Sequence, residues 1–168
     1  MKRVVINGAN GYVASHFILE LLERNYEVIA LIRKNGGCSP EERMNKTLAE
    51  ITGGHYRPSK NLKIYAYSLM EEDCAISPEH LKEIFSMPAD YFHFAASLKY
   101  DAKSKEEIFR TNITGVENSI RMFSRHTLPG SRFFMVSTAY SCGRYNGLFK
   151  ESISTRIICR GMRSACHR

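Results

Sequence analysis

The stretch KRVVINGANGYVASHFILELLER, Lys2 to Arg24, constrains the fold more than any other. It begins as a short β-branched run and breaks at Gly8. From Tyr12 to Arg24 it places Val13, Phe17, Ile18, Leu21 and Leu22 at helical spacing, which makes one apolar face. A strand that turns through glycine into an amphipathic helix is the start of a β–α unit, and the pattern recurs. YEVIALI reads as a second, buried strand. SPEERMNKTLAEI carries a capping box, Ser39 before Pro40 with Glu42 three residues on, so a helix starts there. NLKIYAY alternates as a third strand, and Ser77-Pro78 opens the short helix PEHLKEIF. DYFHFAA is a fourth strand, Ser104 with Glu107 forms a second capping box for a helix running to about Arg125, and RFFMVS is the fifth strand. Strands separated by helices imply right-handed crossovers in an α/β fold. The expected architecture is a doubly wound parallel sheet with ligands at the carboxyl ends of its strands.

A chain of 168 residues is long enough to bury a core, and 43% hydrophobic with 24% charged residues suits a globular protein. No apolar run approaches the roughly 18–20 residues that span a bilayer, so no membrane partner is expected. The five Cys, at 38, 74, 142, 159 and 166, are scattered without a C-x-x-C pair. Reduced thiols in a cytoplasmic protein are expected, and no metal site. The net charge of +7 raises the question of nucleic acid. Four Arg and no acid fall between Thr155 and Arg168, so the remainder is only mildly basic and nucleic acid is not an expected partner.

The glycine turn has the spacing G-x-x-G-x-x-A, at Gly8, Gly11 and Ala14. Gly8 permits the tight turn, Gly11 lets the backbone approach a pyrophosphate, and Ala14 keeps the helix close to the sheet. The diphosphate of a dinucleotide would lie against the helix N-terminus, where N–H groups and the dipole favour an anion. The expected contacts there are Gly8, Asn10, Gly11, Tyr12 and Val13. At the end of the second strand, an acid would bind the ribose hydroxyls of NAD. This chain has LIRKNGG instead, and Arg33 and Lys34 suit a 2′-phosphate, so NADP is expected over NAD.

With these motifs in order, the chain resembles the extended short-chain dehydrogenase/reductase family over residues 2 to about 150. NGANGYVA is similar to the family's glycine signature, with Asn7 where Thr is usual and Ala14 where the third Gly often stands. FHFAAS resembles the segment whose small residues border the cofactor, which implies contacts from Ala95, Ala96 and Ser97. TNITGV places Asn112 in the structural Asn position, and VSTAYSCG puts Thr138 at the catalytic Ser/Thr position, with Val136 and Ser137 beside the cofactor. The combination SPEHLKEI, HFAAS and VSTAYSCG is most similar to reductase domains that release carrier-bound thioesters as aldehydes or alcohols. Two departures stand out. Where the family often has Gly-Asp and an apolar residue after the third strand, this chain has YSL, making Ser68 a weaker adenine partner and Leu69 a packing residue. The family's Tyr-x-x-x-Lys pair, general acid and ribose-binding Lys, has only one literal match, Tyr56 to Lys60, which precedes the third strand and reads as a loop.

The resemblance implies an NADP-dependent oxidoreductase acting on a carbonyl or carrier-bound thioester, with Thr138 hydrogen-bonding the carbonyl oxygen. Two other readings stay open: a non-catalytic NAD(P)-binding module or inactive fragment, and a nucleotide-sugar epimerase or dehydratase. His93, inside an apolar strand, is expected to be a packed, hydrogen-bonded residue rather than a base. Tyr140 is open to two readings, a nicotinamide contact or packing over a loop, and Cys142 is expected to be a small buried residue. Residues 1–150 are thus expected to form the dinucleotide-binding domain, incomplete at its C-terminal side. Residues 151–168 read as a divergent basic tail, expected to be a truncated or frame-shifted end, or else a divergent helix. An incomplete sheet would also favour self-association.

Overall fold

Every strand of the sheet runs parallel to its neighbours, in the order β3-β2-β1-β4-β5. The computed structural model describes residues 2–34, 36–97, 99 and 102–137. Its elements follow the expected alternation: β1 Arg3–Asn7, α1 Tyr12–Glu23, β2 Glu27–Arg33, α2 Pro40–Ile51 and β3 Leu62–Tyr67. A tight 3-10 turn at Glu72–Ala75 then leads to α3 Pro78–Ile84 and β4 Ala89–His93. The last helical stretch is α4 Lys105–Phe109, a π turn at Arg110–Thr114 and α5 Gly115–His126, and it is followed by β5 Arg132–Met135. The compact unit holding all of these ends at Met135; in the following unit Val136 and Ser137 are described, and both are exposed.

Strand periodicity divides the core into two layers. Val4 and Ile6 of β1, with Val28, Ala30 and Ile32 of β2, face Ala14, Ile18 and Leu21 of α1 and Met44 and Leu48 of α2. Val5, Ile29 and Leu31 project to the other side, with Tyr91 of β4, and meet Leu81 and Ile84 of α3 and Met122 of α5. Alternate side chains therefore serve opposite faces, as a sheet covered on both sides requires. Burying each such aliphatic side chain contributes roughly 1.5–3 kcal/mol against conformational entropy. At the amino end of the sheet, buried Arg3 bonds Glu27 (2.8 Å) and the carbonyls of Glu83 (2.7 Å) and Ile84 (2.9 Å), tying β1, β2 and α3 together.

The Ser39 capping box forms as expected, with Glu42 N–H donating to Ser39 Oγ (3.1 Å) and Ser39 N–H to Glu42 Oε2 (2.8 Å). The capping box expected at Ser104 does not. Ser104 sits at φ −92°, ψ 6° at the end of a 3-10 turn, Ala102–Ser104, and its side chain makes no cap bond. An N-cap needs extended backbone, and here the chain is already turned.

The strand order reverses between β1 and β4. β1 leads outward through β2 to β3, whereas β4 lies on its other side. A crevice opens at such a switch point, outside the carboxyl ends of the strands. Gly8 and Phe94, the residues leaving β1 and β4, stand at that place.

Candidate functional site

At Gly8 two constraints coincide. Its φ is +63°, and a Cβ there would lie 2.9 Å from the amide nitrogen of Ala95 and 3.0 Å from its Cα. Only glycine allows both the left-handed backbone and this approach of the β4 exit loop. Gly11 N–H donates to Gly8 O (2.9 Å), closing the turn. Gly11 is then the extended N-cap of α1, without a side-chain cap or an acid in the first turn. Tyr12 and Val13 are 77% and 62% exposed, so this helix end opens outward, while Ala14 is buried in the core. Asn10 is half-buried beside them. A diphosphate fits this cradle: Gly8 and Gly11 carry no side chain to block the backbone, and the first turn of the helix presents its N–H groups without an acidic side chain.

Asn7, immediately before the turn, stands where the glycine signature usually has Thr. It is fully buried and organises the crevice. Its Oδ1 accepts from the amides of Phe94 (2.9 Å) and Ala95 (3.1 Å). Its Nδ2 donates to His93 Nδ1 (2.8 Å) and to Ser119 Oγ (3.3 Å). One side chain thus ties β1, the β4 exit and α5. His93 is the packed, hydrogen-bonded residue the strand pattern suggests; burial pushes its pKa below the ordinary value, keeping the ring neutral with Nδ1 as acceptor. A buried amide at the end of a β-branched strand was the available signal for Asn7.

Ala95, Ala96 and Ser97 follow β4, with Ala96 exposed and its neighbours half-buried. Asn112 clamps this loop, accepting from Ser97 N–H (2.7 Å) and donating to Ser97 O (3.1 Å). It lies within the π turn Arg110–Thr114, a widening that re-aims side chains and recurs at functional sites. Val136 and Ser137 follow β5, and Thr138, Tyr140 and Cys142 lie outside the described residues.

Arg33 and Lys34 are exposed at the end of β2, and among the described residues neither has an ion-pair partner. With Ser68 they line a cavity of about 840 Å³ that runs along β3 to Tyr65 and His80. The glycine turn lies outside this cavity, and Tyr67 links the two. Tyr67 is buried, lines the cavity, and accepts Gly8 N–H on its hydroxyl (3.3 Å). Burial pushes its pKa up to about 12. Leu69 is buried, as a packing residue should be, and Ser68 N–H donates to Cys74 O (2.8 Å). Tyr56 to Lys60 lie in the loop between α2 and β3. Within the unit that ends at Met135, the residues singled out from sequence fall into two groups, one at the Gly8–Ala95 crevice and one around the cavity at Arg33. Among the described residues no cluster of His, Cys, Asp or Glu is placed to hold a metal ion, and no helix is long and apolar enough to cross a membrane.

Comparison with known proteins agrees with this geometry. The family model described as male sterility protein, an NAD-binding family, matches residues 6–162. Fatty acyl-CoA reductase 2 of Mus musculus is 29% identical over 150 residues, covering 83% of this chain and 28% of that protein. Among solved structures, the terminal R domain of the myxalamid PKS-NRPS pathway superposes with a TM-score of 0.72 at 15% identity, over 88% of this chain and 38% of that one. Gre2 of Candida albicans, solved in complex with NADPH, superposes with a TM-score of 0.63 at 17% identity, over 84% and 38% of the two chains. The chain spans well under half the length of each of these relatives. Fold, glycine turn and family match agree, and the chain belongs to the male sterility protein family of NAD(P)-binding domains, of the extended short-chain dehydrogenase/reductase type.

Proposed function

We propose that this chain is the cofactor half of an NADP-dependent reductase acting on a carbonyl or a carrier- or CoA-linked thioester. The observation that carries the cofactor choice is the exposed pair Arg33 and Lys34 at the end of β2, where an NAD-specific site would hold an acid. A 2′-phosphate there meets two cations and the forked guanidinium. The diphosphate would rest on the Gly8–Val13 turn, with Ala95, Ala96 and Ser97 bordering the nicotinamide side. The thioester reading draws its support from the fatty acyl-CoA reductase and R-domain relatives.

When bound, the dinucleotide supplies a hydride to the carbonyl carbon. Thr138 would donate a hydrogen bond to the carbonyl oxygen as negative charge develops there, an effect strongest in a water-poor site. General acid help is typically worth roughly 10²–10⁴-fold. No Tyr-x-x-x-Lys follows Thr138 within these 168 residues. We therefore read these residues, taken alone, as a dinucleotide-binding unit without appreciable turnover.

Titration of the purified chain with NADPH and NADH, by calorimetry or nicotinamide fluorescence, tests the cofactor reading. NADPH is expected to bind at least about tenfold tighter, equivalent to about 1.4 kcal/mol, and Arg33→Asp to remove that preference. Equal or tighter binding of NADH, or an unchanged preference in Arg33→Asp, overturns it. NADPH oxidation with aldehyde and acyl-thioester acceptors tests the second part: appreciable turnover overturns it, and its loss in Thr138→Ala would tie that turnover to Thr138.

A further inference from the structure

We propose that Asn118 is a positioning residue for the adenosine half of the dinucleotide, acting through the backbone of Leu69; this rests on the dinucleotide-binding reading above. The Asn118 side chain donates from Nδ2 to Leu69 O (3.0 Å), across 49 residues of sequence. One helical turn earlier, Gly115 accommodates the Leu69 side chain: a Cβ at that position would lie 2.5 Å from Leu69 Cδ2 and 2.7 Å from Cγ. Residues three apart share a helix face, so α5 grips Leu69 twice, once by its carbonyl and once by its side chain. Leu69 directly follows Ser68, which lines the cavity with Arg33 and Lys34. The loop is further closed by Ser68 N–H on Cys74 O (2.8 Å). Moving Leu69 therefore moves the wall that faces the adenosine phosphate.

The same helical stretch grips the other half of the site separately. Asn112, in the π turn, holds Ser97 of the β4 exit by both its N–H and its carbonyl. Two asparagines on one continuous helical path thus brace two loops, Asn118 the adenosine side and Asn112 the nicotinamide side. The division makes the roles separable. α5 itself is anchored by buried Met122 and by Phe123 packed on the core, contacts that a change at Asn118 leaves in place.

The test uses the whole chain and two probes: 2′,5′-ADP, which carries only the adenosine half, and NADPH, whose bound emission spectrum reports the nicotinamide environment. Asn118→Asp is isosteric but replaces the donor by an acceptor against the Leu69 carbonyl. Gly115→Ala disturbs the same residue from its side chain. Each is expected to weaken both 2′,5′-ADP and NADPH by about tenfold, while the emission of NADPH bound at saturation stays as in the parent. Asn112→Asp is expected to do the reverse, altering that emission with little change in 2′,5′-ADP affinity. Unchanged 2′,5′-ADP affinity in both Asn118→Asp and Gly115→Ala overturns the proposal with the dinucleotide reading intact. So does a loss that only tracks melting of the variants, or an emission change of equal size in Asn118→Asp and Asn112→Asp. If the parent chain binds neither probe, the dinucleotide reading falls and this inference with it.

Discussion

Asn7 and His93 meet through a buried 2.8 Å contact, Nδ2 to Nδ1, in which the imidazole must be the acceptor. The amide's other end holds the Phe94 and Ala95 N–H groups, so the ring's protonation state is linked to the shape of the crevice. Burial lowers the folded-state pKa of His93 below its ordinary value of 6.5. The unfolded chain therefore binds the proton more readily, and stability falls as pH drops through that ordinary value. The neighbouring thiol of Cys74 is pushed up to about 11 by burial, and the buried Tyr91 hydroxyl is pushed up too, so both stay protonated across this range. The urea midpoint of the parent chain is expected to drop between pH 7.5 and pH 5.5 by more than that of His93→Gln. Parallel pH profiles would remove His93 from the account. In Asn7→Asp the new carboxylate would favour the imidazolium, and an NMR titration should show the His93 pKa moving upward instead.

Much of this site is local and therefore legible. The strand, the glycines and the apolar stripe of α1 announce the turn within a dozen residues, because tight turns and helix starts are set by neighbours in sequence. The place of Arg33 and Lys34, exposed at the end of β2, is readable for the same reason. The contacts that shape the loops are not local. Asn7 to His93 spans 86 residues, Tyr67 to Gly8 spans 59, and Asn118 to Leu69 spans 49. No periodicity encodes such pairings, which depend on the sheet order. Ser104 shows the converse error: the right residue types at capping-box spacing fail because a preceding 3-10 turn has already set the backbone.

Tyr67 shows how a non-local contact adds stability at the turn. Its hydroxyl is the acceptor for Gly8 N–H, at 3.3 Å, and the residue is 4% exposed. Tyr67→Phe keeps the ring's packing and leaves that amide without its partner. A lost buried hydrogen bond of this kind costs about 1 kcal/mol, which for a chain of this size lowers Tm by about 3 °C. A melting temperature equal to that of the parent chain would mean that water or another group takes the amide. Because burial holds the Tyr67 pKa near 12, the difference between parent and variant should be flat from pH 6 to pH 9.

Three consecutive residues without glycine, Asp73, Cys74 and Ala75, take left-handed backbone, at φ 44°, 54° and 53°. Each L-residue held there costs roughly 1–2 kcal/mol, and the turn persists because its side chains are tied down. Asp73 bonds Arg125 (3.0 Å), and Cys74 is fully buried with its carbonyl on Ser68 N–H. Ala75 contributes the least: it is exposed and lines the cavity mouth. In Ala75→Gly the steric cost disappears, offset in part by about 0.5–1 kcal/mol of extra entropy in the unfolded chain. The net expectation is a gain of about 0.5–1 kcal/mol in stability, read as a raised denaturation midpoint with an unchanged slope. A destabilised variant would show that the Ala75 methyl makes contacts worth more than the strain it causes. Asp73→Gly relieves the same kind of conformation but removes the carboxylate that meets Arg125 and His126, leaving Arg125 paired with Glu72, so the two variants separate backbone strain from side-chain anchoring in the loop that carries Ser68 and Leu69.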